Sequence, residues 1–432
     1  MTVSRATPTT PRSYRPRLRT LLTLVAGRSA FRLAQLAATV VLLPLWGERR
    51  YGVYAGAVAA FTWVISLLQA GPEKTVLKLL PRAPRTGPQI VEAIAALLWW
   101  LPVPLLVAFA VAVTAGERGT VAIYLGVAAI AVGSGETLLL AGLHRVSGRP
   151  HYDFRSGFVL CAVQVALIGL VVAGLGPLGY VAAYVVAQAA VNLVLLARLG
   201  RPSLRIRERP GFVRRVVWTV LLMGSPEICL YLCTSVLFTI LAASRWSGQV
   251  GPLFAVLIVW SAGITFLLYG LRVYAPQVSL QLVGRGGHAA TARAARLARV
   301  VVAVDLAWVA AALVLVHVTG VLGTSRGSGA LLVWIVLLAS RTPAVAALIV
   351  AGFLLENSDA RAPRITGAAG PVSLAAVTVA GLFLVPAYGG IGLLAASAAG
   401  EAVQALVITA LLALGRRPVR PSPAYQGSEV AT

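Results

Sequence analysis

Arg28, Arg32 and Gln35 sit inside one long apolar stretch of this 432-residue chain, and Glu227 sits inside another. Charged side chains at membrane depth are costly, so they line a cavity or pair within a helix bundle. On a helix Arg28 and Arg32 are spaced i, i+4, with Gln35 one residue short of the next turn, so the three share a face. Two guanidiniums on one face hold a pyrophosphate through charge-assisted hydrogen bonds. The competing explanation is that both arginines snorkel to the headgroup layer from near a helix end. Glu227 follows Gly224 and Pro226 in Met-Gly-Ser-Pro-Glu. Both weaken a helix, because glycine is flexible there and proline lacks a backbone donor and clashes with the preceding turn. A carboxylate beside a loosened helix suits a hinge at Gly224 and Pro226, a cation site, or a protonation step. The alternative is a structural contact between Glu227 and Arg28 or Arg32.

Glu136, in Gly-Ser-Gly-Glu, is a second ion-coupling candidate, although the glycines before it favour a hydrogen bond inside a bundle. Arg341, followed by Thr342 and Pro343, is a further cavity candidate, with snorkelling as its alternative. Asp305 and Glu401 lie near span ends or among small residues. Glu73, Lys74 and Lys78 form a mixed-charge mouth that reads as an anchor to the headgroup layer. Other chemistry is absent from the sequence. Cys161, Cys229 and Cys233 fall within apolar stretches, and His144, His151, His288 and His317 have no metal-ligand spacing. No phosphate-binding Gly-x-x-x-x-Gly-Lys loop occurs, and no segment between apolar stretches has room for a soluble catalytic domain. No catalytic residue, metal or cofactor is therefore assigned, and the chain is not expected to be an enzyme.

The elements that position these residues are transmembrane helices, each needing about 20 apolar residues. The spans are placed at 25–46, 52–71, 90–115, 119–143, 157–175, 178–197, 216–241, 249–270, 299–319, 329–354, 371–386 and 391–414. Arginines cluster on alternate connections. The richest are the N-terminal tail (Arg5, Arg12, Arg15, Arg17, Arg19) and the middle segment (Arg198, Arg201, Arg205, Arg207, Arg209, Arg214, Arg215). The opposite connections carry only Arg49, Arg50, Arg118, Arg245 and Arg326. By the positive-inside rule both termini are cytoplasmic. The net charge of +24 is thus spread as loop anchors on anionic lipid, which excludes a nucleic-acid stripe. Tryptophans 46, 99, 100, 218, 246 and 334 fall near span ends and read as interfacial belt residues. The stretch 285–299 reads as a surface helix on lipid. Arginine in place of lysine points to a GC-rich bacterial genome, and the expected location is the bacterial cytoplasmic membrane, crossed many times.

The expected organisation is a disordered tail (1–20), a first six-helix bundle (21–197), a cytoplasmic linker (198–215), a second bundle (216–415) and a disordered tail (416–432). The halves echo each other weakly. Residues 177–196 resemble 390–409, with Gly179 matching Gly392 and Gln188 matching Glu401, and Trp46 with Gly52 resembles Trp246 with Gly251. Such repeats are the signature of a duplicated transporter.

Four stretches carry a wider resemblance: LPLWGERRYGVYAGAVAAFTWVISLLQAG (43–71), Leu-Gly-Pro-Leu-Gly-Tyr (175–180), GQVGPLFAVLIVWSAGITFLLYGLRVYAPQVS (248–279) and VPAYGGIGLLAASAAGEAVQALVI (385–408). Together they resemble the polysaccharide-flippase branch of the multidrug/oligosaccharidyl-lipid/polysaccharide exporter superfamily. The resemblance implies an all-α polytopic protein of twelve helices in two six-helix bundles, V-shaped and related by a pseudo-two-fold axis. It implies translocation of a lipid-linked oligosaccharide by alternating access, with membrane lipids, a polysaccharide polymerase or glycosyltransferases as partners and no nucleic acid. The sequence departs from the branch at TSVLFTILAASRW (234–246) and at GPEKTVLKLLPR (71–82), so a cation-coupled multidrug or small-metabolite exporter of the same superfamily is the alternative.

Overall fold

The structure, a computed structural model, describes residues 18–82, 89–91, 93–94, 102–115, 119–146, 149–199, 210–282, 285–319, 328–358 and 362–414. Among these it is all-helical. The helices are α1 (Leu18–Arg82), α2 (Pro102–Thr114), α3 (Thr120–Val146), α4 (His151–Val172), α5 (Pro177–Leu199), α6 (Pro210–Ala243), α7 (Val250–Gln281), α8 (Arg285–Thr319), α9 (Ser328–Asn357) and α10 (Ala362–Leu414). A short 3₁₀ turn, Ser247–Gln249, joins α6 to α7. Among the described residues ten stretches are long and apolar enough to cross a membrane. The last of them, 53 residues, is broken at Gly389, and the 13-residue α2 occupies part of the expected third span. The breaks at Gly47 and Gly389 separate two arms in each of α1 and α10, which accounts for the twelve expected spans. Both glycines hold positive φ, 73° and 57°, a conformation that a Cβ disfavours.

Large apolar side chains cover the outside: Val186, Phe383 and Leu332 are 69%, 72% and 63% exposed. Lipid accommodates such a surface and water does not. This is a multi-pass membrane protein.

Helices α1 to α5 pack on one another, as do α6 to α10, and the two sets meet where α1 lies against α6 and α7. These sets are bundles one and two below. The crossing of the second arm of α1 with α6 is close because it is glycine against glycine. A Cβ on Gly71 would lie 2.3 Å from the Val220 carbonyl oxygen, and one on Gly224 would lie 2.9 Å from the Gly71 Cα. Further along, the Ser235 hydroxyl donates to the Ala59 carbonyl at 2.6 Å.

The halves repeat a detail at their other ends. In bundle one the Trp46 ring meets Tyr180, at the start of α5, edge-on with centroids 5.4 Å apart. In bundle two the Trp246 indole donates to the Pro386 carbonyl at 3.1 Å, beside the Gly389 break. Each time, the tryptophan after an early span clamps the entry to the sixth.

Several boundaries differ from the sequence reading. The expected second and eighth spans, 52–71 and 249–270, run on as helix to Arg82 and Gln281. Glu73, Lys74, Lys78 and Arg272 in these extensions face partners in the protein, so polarity does not end the helix. The expected surface helix, 285–299, is the first part of α8. Its Ala294 and Ala298 are buried against α9 and α10, because an alanine-rich face packs closely. Trp46 and Trp334 are buried, at 8% and 4% exposure, where belt residues were expected; Trp218 is exposed and Trp99 and Trp100 lie outside the described residues. Helix α1 begins at Leu18, inside the expected tail. The rest of that tail, the linker core 200–209 and the C-terminal tail lie outside the described residues.

Candidate functional site

Between the bundles is a cavity of about 90 Å³. Six helical segments line it: Arg32 and Gln35 from the first arm of α1, Gln69 from the second, Thr137 from α3, Asp153 from α4, Glu227 from α6 and Arg272 from α7. The structure therefore brings together three residues singled out in the sequence, Arg32, Gln35 and Glu227. Arg32 donates to the Gln35 side-chain oxygen at 3.3 Å, the face-sharing expected from their spacing. Arg28 lies one turn earlier on the same helix, and its side chain lies outside the described residues.

A continuous chain of ion pairs and hydrogen bonds runs from the cavity wall toward the arginine-rich helix ends. Arg145 lies 3.2 Å from Asp153 and 3.0 Å from Glu73. Glu73 also accepts from Gln69 at 3.0 Å and lies 3.4 Å from Arg272. Arg272 holds Glu227 at 2.5 Å, and Glu227 lies 3.4 Å from Lys74. Lys74 reaches Glu356 at 2.9 Å, and Lys78 donates to the Glu356 carbonyl at 2.5 Å. The partners of Glu227 are thus Arg272 and Lys74, where a contact with Arg28 or Arg32 was the expected structural alternative. Most of these groups are buried, Glu73 and Asp153 at 1% exposure and Glu227 at 8%. Breaking a buried ion pair from one side is strongly destabilising, because the other charge stays buried alone.

Four contacts in this chain cross between bundles: Glu73 to Arg272, Lys74 to Glu227, Lys74 to Glu356, and Lys78 to Glu356. We call it the seam. Lys74 and Lys78 were read in the sequence as anchors to the headgroup layer, whereas here they stand on a helix, Lys74 facing carboxylates and Lys78 the Glu356 carbonyl, and Arg145 and Arg272 likewise face carboxylates from helices. The signal that could have found them is the scarcity of acid. With only 13 acidic residues in the chain, each one beside an apolar stretch asks for a basic partner.

The remaining candidates lie apart. Glu136 accepts from Asn192 at 3.0 Å inside bundle one, where Thr137, Gln188 and Asn192 also hydrogen-bond one another. Arg341 is buried in bundle two, 2.7 Å from Glu401 and donating to the Leu394 carbonyl at 3.1 Å. It does not line the cavity. Helix α6 remains helical through Pro226, and Gly224 serves the close crossing with Gly71.

No protein-family model matches this chain, and no curated protein does. Its fold is shared with solved membrane transporters. It is similar to the outward-facing conformation of a multidrug resistance MATE family transporter of the MOP superfamily, with a TM-score of 0.59 and 15% identity over 92% of this chain and 94% of that one. It is also similar to a MATE crystallised in the straight conformation, with a TM-score of 0.58 and 12% identity over 92% and 94%. A third likeness is to a MOP superfamily transporter from Pyrococcus furiosus, with a TM-score of 0.56 and 13% identity over 92% and 94%. For that protein a reversed polarity of the binding pocket is taken to suggest a different function. The twelve-span, two-bundle architecture is thus MATE-like.

Proposed function

We propose that this chain is a membrane exporter that moves a lipid-linked oligosaccharide, or a related polysaccharide precursor, between leaflets by alternating access. The observation that carries this reading is the cavity between the bundles, where Arg32, Gln35 and Arg272 present donors suited to a pyrophosphate. Ligand pockets for small molecules measure roughly 300–1,000 Å³, so on this reading the cavity of about 90 Å³ widens to take its cargo. For loading from the arginine-rich side the seam must part. A pyrophosphate arriving at Arg272 replaces Glu73 and Glu227 as its partner, which breaks the Glu73–Arg272 pair across the bundle boundary. Gly224 and Pro226 then let α6 flex as the seam opens, while the lipid tail stays in the bilayer.

The test is translocation of a polyprenyl-pyrophosphate oligosaccharide in proteoliposomes, read by the sugar becoming accessible to an external lectin. Arg32→Ala and Arg272→Ala are expected to slow it by tenfold or more; wild-type protein that moves none of this substrate rejects the reading. A second reading, a cation-coupled exporter of multidrug type, is favoured by the two carboxylates that line the cavity, Asp153 from bundle one and Glu227 from bundle two. Efflux of a lipophilic cation with no lectin signal would establish that one instead.

A further inference from the structure

Asp305, on α8, is fully buried. Among the described residues nothing donates a hydrogen bond to either of its carboxylate oxygens. The charged groups facing it come from the two helices packed against α8: Arg341 on α9 and Glu401 on α10. Arg341 is already engaged. One of its nitrogens lies 2.7 Å from Glu401, another donates to the Leu394 carbonyl at 3.1 Å, and its guanidinium sits 5.0 Å over the Trp308 ring. From α6 the Cys233 thiol faces Glu401.

Two carboxylates therefore sit near one guanidinium in the interior of bundle two, and only Glu401 is in ion-pair contact with it. With both ionised, the site would hold an uncompensated negative charge away from water, a state proteins avoid by neutralising the group. The deficit falls on Asp305, because Glu401 already has the ion pair. Glu227 differs, with Arg272 and Lys74 both beside it. A metal ion needs several oxygen ligands together, and a guanidinium alongside repels it. Among the described residues no cluster of three or more acidic, histidine or cysteine side chains could hold one. A proton needs one oxygen.

We propose that Asp305 is a proton-binding site of bundle two, occupied in this conformation. Arg341 can serve either carboxylate, so a small shift of α9 against α8 and α10 moves its charge from Glu401 toward Asp305 and releases the proton. Helix packing and proton occupancy are coupled through that one guanidinium. The inference stands whatever the cargo is.

The chain has three aspartates, Asp153, Asp305 and Asp359, which makes an isotope test selective. Full-length protein in nanodiscs, labelled with ¹³C-aspartate, is examined by infrared spectroscopy at pH 7. The expected result is a protonated-carboxyl carbonyl band that shifts with the label and disappears in Asp305→Asn. No such band, or one that persists unchanged in Asp305→Asn, overturns the proposal. So does a band abolished by sodium chloride but not by choline chloride, which would mark a metal-cation site. Should Asp305→Asn fail to fold, Asp359→Asn decides. A band lost with Asp359 overturns the proposal, and a band retained supports it, since Asp153 is in ion-pair contact with Arg145.

Discussion

Glu227 has a cation on either side, Arg272 at 2.5 Å and Lys74 at 3.4 Å, and each belongs to a different bundle from the other. Removing the carboxylate leaves two positive charges facing each other in a poorly solvated seam. Glu227→Ala is therefore expected to destabilise the protein by about 3–5 kcal/mol, seen as a large drop in melting temperature in detergent. Glu227→Gln keeps a hydrogen-bond acceptor and should cost less. A melting temperature unchanged in Glu227→Ala would mean that the seam contributes nothing to holding the bundles together. Glu227 was conspicuous in the sequence as an acid in an apolar stretch. Its partners were not, because a basic residue next to a span end looks the same whether it touches a phosphate headgroup or a carboxylate.

At the scale of elements, the fold depends on two breaks that let one helix become two. Gly47 and Gly389 both occupy backbone regions reserved for glycine. Substituting alanine at either costs roughly 1–3 kcal/mol from backbone strain. Their surroundings differ. A Cβ at Gly47 meets nothing within 4 Å, while one at Gly389 lies 2.6 Å from the Gln249 side-chain oxygen and 3.0 Å from Trp246. Gly389→Ala should therefore lower the melting temperature more than Gly47→Ala, and the reverse order would contradict this packing. The twelve spans and their order were legible in the sequence, since apolar length and arginine alternation report directly on a bilayer. Helix ends were not. Hydropathy ends a span where charge begins, but Lys74, Lys78 and Arg272 continue their helices because each is met across the boundary, Lys74 by the Glu356 and Glu227 carboxylates, Lys78 by the Glu356 carbonyl and Arg272 by Glu73. The same limit hid the burial of Trp46 and Trp334, whose positions suit an interfacial belt and whose rings fill the interior.

At the scale of the whole molecule, the second arm of α1 lies along α6 from Ala59 beside Ser235 to Lys74 beside Glu227. The alternating access proposed above requires this contact to part and re-form. Cysteines at Ala59 and Ser235, where a side chain and a backbone carbonyl are 2.6 Å apart, should cross-link on oxidation and stop translocation, with recovery on reduction. Undiminished transport in the fully cross-linked protein would mean that the bundles do not separate there.

The seam also bears on how the two halves relate to each other. Bundle one brings Lys74, Lys78 and Arg145 against Glu73 and Asp153, while bundle two brings Arg272 against Glu227 and Glu356. One surplus positive charge thus meets one surplus negative charge. Two copies of bundle one placed face to face would set like against like, and so would two copies of bundle two. If the halves descend from a self-associating ancestor, as their paired tryptophan clamps suggest, they have since become lock and key. The surplus charges then favour the mixed pair over either like pair, and covalent fusion in one polypeptide keeps that pair together.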